Sequence, residues 1–284
     1  DGANTTNLQI FGGLLSDGRF VPLNNAENIE KMEKSMPHGK EGFSMNFKSG
    51  YYSVICAGGR QKYTISQEGK QQNGVMGTPN QPVKCTITMD IDRDFNDKNK
   101  ATYSDYDAGI ILAGNHEGAM YADVDIIIRS GHVGRLVNGS LGNKNDFSFV
   151  YPVGSNNWIY APNNSYMGRA NILLDPEKSE NNKNEEKNKR IIVTELYGGG
   201  TGRGFTNSQI INNPFYGLST VTINGGTFKM LPENNTSEKN YVGIFGAGAG
   251  GTNGIGDDKN HTQDDRIPYW NDDNTVMLYG KYDT

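Results

Sequence analysis

The sequence is short of the residues that build most small folds. Only 35% of its 284 residues are hydrophobic. No apolar run approaches the roughly 18 residues that cross a bilayer as a helix, so no membrane span is expected. There are two cysteines, Cys56 and Cys85, and no Cys-x-x-Cys pair, which argues against a structural zinc site. They read either as one disulfide or as two buried free thiols. Positive charge is also scarce: 27 Lys and Arg stand against 32 Asp and Glu, for a net −5. Phosphate neutralisation needs clustered cations, so nucleic acid is a poor partner. The four histidines, His38, His116, His132 and His261, lack ligand spacing, and no Gly-x-Ser-x-Gly nucleophile motif is present.

Glycine and asparagine are abundant instead, at 37 and 34 residues, together a quarter of the chain. Both are poor helix formers, which argues against a helical bundle. The chain opens at Asp1 in a polar stretch and reads as a processed or trimmed chain.

A short pattern recurs along it: two apolar residues, a small or polar one, then usually Gly. The copies are Ile10-Phe11-Gly12-Gly13, Ile55-Cys56-Ala57-Gly58, Ile111-Leu112-Ala113-Gly114 and Leu136-Val137-Asn138-Gly139. Leu196-Tyr197-Gly198-Gly199, Ile244-Phe245-Gly246-Ala247 and Leu278-Tyr279-Gly280-Lys281 continue it, the last two imperfect at the fourth position. Their spacings are 45, 56, 25, 60, 48 and 34 residues. The shortest is about one coil of a solenoid, and the others leave room for insertions or a second coil.

A second pattern precedes some of these. Met45–Tyr51 aligns with Ile126–His132 and with Val221–Thr227, each an alternating segment closed by Ser-Gly or Gly-Gly. Thr86–Ile91 is a fourth alternating segment without glycines. Period-two alternation marks a strand with one buried face. The glycine after it supplies a positive φ and a sharp corner. His132 occupies the place of Tyr51 and Thr227, so it reads as a rung position and not a base.

Strand, corner, strand, corner is how a parallel β-helix coil is built. Stacking coils about 4.8 Å apart buries an apolar column that one coil cannot bury alone. Asparagine amides can bond to the same group one coil away. The expected fold is therefore all-β: a single-stranded, right-handed parallel β-helix over residues 1–284. Its handedness follows the crossover rule. Long insertions are expected near 20–42, 93–108, 143–189, 230–241 and 252–274. A β-sandwich is the alternative.

Val221–Phe228, "VTINGGTF", with "ELYGGGTG" at 195–202 and "VGIFGAGAGG" at 242–251, resembles repeats of secreted bacterial adhesin-like parallel β-helix proteins. The chain departs from that pattern in its long insertions and in Ser49 and Ser130, which replace the first glycine. The resemblance implies an exported, surface-associated protein and carries over no catalytic residues.

Function is expected in the insertions, because coils are scaffold and loops carry contacts. Residues 146–169 gather Phe147, Phe149, Tyr151, Trp158, Tyr160 and Tyr166 beside Asn156 and Asn157. Flat rings stack on a pyranose and amides bond its hydroxyls, so Trp158, Tyr160, Tyr166, Asn156 and Asn157 are candidate glycan ligands. The alternative is a loop packing its aromatics onto the scaffold. Tyr269 and Trp270 repeat the idea on a smaller scale. Asp90, Asp92 and Asp94 alternate and would share one strand face, which reads first as an acidic, solvated strand end and second as a Ca²⁺ site built from hard oxygens. The EF-hand pattern fails there, with Phe95 at its required glycine. Pro176–Lys189 contains no large apolar residue and reads as a solvated loop. Glu27–Lys34 reads as a short helix capped by Asn25, with Ile29 and Met32 facing the core. Gly246, Gly248 and Gly251 match a dinucleotide fingerprint, but no helical pattern follows to hold a pyrophosphate. Asn-x-Ser/Thr sequons occur at Asn4, Asn138, Asn163, Asn234, Asn235 and Asn260, and in so asparagine-rich a chain several arise by chance.

The leading expectation is a non-enzymatic, exported surface protein, adhesin-like, whose partners are glycans or host surface components. A carbohydrate-active lyase or hydrolase on the same scaffold is the second. A structural spacer of a larger surface protein is the third.

Overall fold

Alternation in sequence becomes parallel strand pairing in the computed structural model. It describes residues 3–4, 8–12, 41–59, 65–67, 70–72, 75–77, 82–93, 106–116, 119–140, 147–150, 159–162, 166–181, 183, 186–200, 215–229 and 242–246. The strands begin with β1 (Ala3–Asn4), β2 (Gln9–Phe11), β3 (Phe43–Phe47) and β4 (Gly50–Cys56). Next come β5 (Ile65–Gln67), β6 (Lys70–Gln72), β7 (Val75–Met76), β8 (Val83–Asp90) and β9 (Ala108–Leu112). The 19-residue β10 (Ala119–Val137) is followed by β11 (Phe147–Val150), β12 (Ile159–Pro162) and β13 (Tyr166–Leu174). The last are β14 (Ile191–Tyr197), β15 (Phe215–Ile223), β16 (Thr227–Phe228) and β17 (Gly243–Phe245).

These strands build two parallel ladders. In the first, β3, β8, the front half of β10, β13 and β15 lie side by side in chain order. In the second, β2, β4, β9, the back half of β10 and β14 do the same, and β14 then pairs with both β16 and β17. The chain visits the first ladder, turns, visits the second, and returns one place further along. A sandwich of antiparallel hairpins would pair its strands the other way. Among the described residues, only the short pairs β5–β6 and β11–β12 are antiparallel.

The repeats fall into register. Ile10, Ile55, Ile111, Leu136, Leu196 and Ile244 are successive Cα partners across the second ladder. The second residues of the copies, Phe11, Cys56, Leu112, Val137, Tyr197 and Phe245, form the adjacent column. The expected corners also hold: Gly50, Gly131 and Gly226 have φ of 110°, 130° and 125°, a region costly for any residue with a Cβ. His132 takes its rung position, paired with Ile192, which also pairs with Thr227.

Between the ladders runs one apolar core. Cys85, Ile87 and Met89 point into it from β8, Val124, Ile126 and Ile128 from β10, and Ala170, Ile172 and Leu174 from β13. From the other side come Ile55, Ile111, Leu136 and Leu196. Each fully buried aliphatic side chain contributes about 1.5–3 kcal/mol, so this column carries much of the stability. The outer side of the second ladder is buried as well, in a separate cluster of Val54, Cys56, Ile110, Leu112, Val137 and Tyr197.

Two expectations change, and one open alternative is decided. Residues 143–189 are not one insertion, because β13 within them is a full rung of the first ladder. Its side chains at 166, 170, 172 and 174 are buried in a period-two pattern. Pro176–Lys189 is not simply a solvated loop. It holds short 3-10 turns at Pro176–Lys178 and Lys187–Lys189, and Ser179 is buried against the first ladder. Arg190 ties it further, donating from Nη1 to the Pro176 carbonyl at 3.0 Å. Both cysteines are free and buried. The proposed helix at Glu27–Lys34 and its Asn25 cap lie outside the described residues, as do Gly248 and Gly251. Among the described residues no helix is long and apolar enough to cross a membrane.

Candidate functional site

Tyr166 is not a sugar platform. It opens β13 with its ring fully buried, and its hydroxyl donates to the Arg169 carbonyl at 2.7 Å. Stacking on a ligand needs an exposed ring face, which Tyr166 lacks. Tyr160 lies in β12, opposite Phe149 of β11 in the antiparallel pair. Asn156, Asn157, Trp158, Tyr269 and Trp270 lie outside the described residues.

The aspartate series also separates. β8 ends at Asp90, so the alternation that would align Asp92 and Asp94 with it stops there. Asp90 points outward by parity but is covered by the segment after β13. Its Oδ1 accepts from Ser179 Oγ at 2.6 Å and its Oδ2 from the Glu180 N–H at 3.1 Å. The Lys48 ammonium stands 3.7 Å from Oδ2, and Asn181 Nδ2 donates to the Asp90 carbonyl at 2.6 Å. Those donors take up the oxygens that a Ca²⁺ ion would need. Asp92 follows the strand, its N–H donating to the Lys48 carbonyl at 2.8 Å, and Asp94 lies outside the described residues. Among the described residues no group of three or more His, Cys, Asp or Glu gathers as a metal site.

The corner ahead of the second ladder holds a buried ion pair. Arg93 Nη1 lies 2.5 Å from Asp107 Oδ2, and the His132 N–H donates to the same oxygen at 2.8 Å. With side chains 9% and 1% exposed, the pair is closed to ligands and acts as a structural joint.

A different polar cluster stands on the open face of the first ladder. Asp123 and Asp125 project from β10 between the core residues Ala122, Val124 and Ile126. One rung along, β13 places Arg169 beside Asp123 and Asn171 beside Asp125. Arg169 reaches both carboxylates. Its Nε lies 2.5 Å from Asp123 Oδ1, and its two terminal nitrogens donate to Asp125 at 2.9 and 3.1 Å. Asn171 Nδ2 adds a bond to Asp125 Oδ1 at 2.7 Å. Arg169 hydrogen bonding, helped by Asn171, holds the Asp125 carboxyl below the ordinary aspartate range against a smaller opposing effect of burial. The carboxylates and guanidinium are each about one-third exposed. Lys84 and Thr86 flank the cluster on β8, and Leu218 and Thr220 on β15.

Sequence reasoning missed this site. Its signal is the Asp-x-Asp alternation in "YADVDIII", which becomes informative only once register brings in Arg169 from 46 residues later. Asn138, by contrast, is a sequon that the fold closes. It is fully buried, and its Nδ2 donates to the Ala170 carbonyl at 2.8 Å and to Ser219 Oγ at 2.7 Å.

The chain matches no protein-family model, no curated protein and no solved structure.

Proposed function

We propose that the two ladders are the faces of one right-handed parallel β-solenoid, and that the chain is a non-enzymatic, adhesin-like surface protein. Its ligand on this reading is a glycan lying along the open face of the first ladder. The observation that carries it is the Asp123–Arg169–Asp125–Asn171 cluster, polar, about one-third exposed at its charged groups and held on neighbouring paired strands. Carboxylate and amide oxygens accept from sugar hydroxyls, while guanidinium and amide N–H groups donate to them. Strand-borne groups are pre-positioned, so little side-chain entropy is lost on binding.

A hydrolase on this face would need one carboxyl held protonated near neutral pH as general acid. Asp125 is shifted the opposite way, which suits a hydrogen-bond acceptor or a base and not that acid. The spacer reading is the alternative, favoured by Tyr166 being packed inward.

The test is a glycan and host-matrix array probed with the wild type, Asp125→Asn, Arg169→Ala and Trp158→Ala. Binding lost in the first two variants supports the ladder face. Loss confined to Trp158→Ala would move the site to the aromatic segment. No binding by the wild type would leave the spacer reading ahead.

A further inference from the structure

Three corners carry the chain from the first ladder to the second, and one of them is chemically unlike the others. They are Lys48-Ser49-Gly50, Arg129-Ser130-Gly131 and Asn224-Gly225-Gly226, each ending on a glycine of positive φ. In the second corner Ser130 is fully buried, and its Oγ donates to the Ile91 carbonyl at 3.1 Å. Gly225, in the third, has no side chain to anchor it, and its N–H donates to no described residue. Asn224 beside it is exposed. Its N–H donates to the Leu174 carbonyl at 2.9 Å, while its side-chain amide bonds to no described residue.

An asparagine followed by glycine can close a ring on itself. The nitrogen of the next residue attacks the side-chain carbonyl carbon, and a glycine there has no Cβ to block the approach. We infer that Asn224-Gly225 is a self-modification site, at which the exposed corner converts to isoaspartate. The deprotonated Gly225 nitrogen bonds to Asn224 Cγ, the Cγ–Nδ2 bond breaks, and ammonia leaves with a proton taken from water. Water then opens the succinimide. Attack on the former main-chain carbonyl gives isoaspartate, and attack on Cγ gives aspartate. The sum is asparagine and water in, an acid and ammonia out, with no change of oxidation state. Among the described residues Asn138-Gly139 is the other Asn-Gly pair, and it serves as a control. Asn138 is 0% exposed and its Nδ2 is held by the Ala170 carbonyl and Ser219 Oγ, so ring closure there needs the fold to open.

Isoaspartate adds one main-chain atom and a negative charge to the corner. Directly after it, Thr227 pairs with Ile192 and donates from Oγ1 to the Asn188 carbonyl at 2.6 Å, and the Lys229 N–H donates to the Val193 carbonyl at 3.1 Å. The extra atom displaces that register, so the modification loosens β16 and spares β10. The inference is independent of the glycan reading.

The full chain, held at mildly alkaline pH and sampled over time, tests it by peptide mapping with enzymatic methylation of isoaspartate as the readout. Isoaspartate accumulates at position 224 about a hundredfold faster than at 138 in native protein, because only the latter waits for unfolding. In denaturant both positions convert. Gly225→Ser, which copies the two earlier corners, slows conversion at 224 about tenfold by placing a Cβ beside the attacking nitrogen. Hydrogen exchange at residues 227–229 speeds up in the modified fraction, while the amides of β10 stay unchanged and report an intact fold. An Asn224 that converts only in denaturant would overturn the inference. So would aspartate formed without isoaspartate, a Gly225→Ser variant as fast as the wild type, or unchanged exchange at 227–229 after modification.

Discussion

The two ladders share one core and differ in their outer sides. The first presents alternating polar side chains to solvent: Ser44 and Asn46 on β3, Lys84 on β8 and Thr220 and Thr222 on β15 are exposed or partly so. The second is mostly buried on both sides across its middle strands, and all seven residues of β14 are buried. Strands with one wet side read as strict alternation, and strands buried on both sides read as continuous apolar runs. Hence the first ladder announces itself through "TITMDI" and "MNF", and the second through apolar pairs closed by small residues. The small residues have a packing reason: a Cβ on Gly198 would sit 2.1 Å from the Gly246 carbonyl oxygen of the next rung.

The contrast is tested most strongly by the thiols. Cys85 points into the core from the first ladder, and Cys56 lies on the outer side of the second. Burial pushes both up to about 12. At pH 8 the thiolate fraction is then about a thousandfold below that of an ordinary cysteine. Both should resist iodoacetamide in native protein and react promptly in denaturant, with mass spectrometry as the readout. Rapid native labelling of Cys56 alone would mean that the second ladder has an open outer side after all.

Charge insertion at matched outward positions comes next. Val137→Asp places a carboxylate in the buried outer cluster and should cost at least about 4 kcal/mol. Thr88→Asp, outward on the first ladder, should change stability by no more than about 0.5 kcal/mol. Urea midpoints compare them, and equal effects would erase the distinction between the ladders.

Where the chain turns from one ladder to the other, Gly131→Ala probes the joint itself. Its φ of 130° disfavours any Cβ, and the added methyl would sit 2.4 Å from Met89 Cε. The methionine end can move, so backbone strain dominates, at about 1–3 kcal/mol. Calorimetry showing an unchanged Tm would remove the corner from the argument.

Rungs and corners were legible in the sequence because they are local: an apolar pair, a period of two, a glycine. Tyr166 was misread because it was grouped with the aromatic residues before it. Tyr166, Gly168, Ala170, Ile172 and Leu174 already alternate with Met167, Arg169, Asn171 and Leu173, which marks a strand. Asp90 was misread for a different reason. Its partner Ser179 is 89 residues away, and nothing local shows that an insertion rich in charge folds back to bond it. The Asp123–Arg169–Asp125 cluster was hidden in the same way, since ladder register decides which charges meet.

The smallest effect belongs to that cluster. Asp125 has a folded pKa below its ordinary value of 3.8. Its pairing with Arg169 therefore stabilises the fold fully above that value and fades as pH falls through the lower, folded one. The pair is more than one-third exposed, so solvent screening holds the contribution below about 1 kcal/mol. Wild type should be slightly more stable than Asp125→Asn at pH 7, and the gap should close as pH drops below about 4. Raising salt should shrink the gap at pH 7 as well, because exposed ion pairs are screened. Unfolding curves across pH 2–7 would show this. A gap that persists undiminished at pH 2 would mean that Asp125 stabilises through packing and not through its charge.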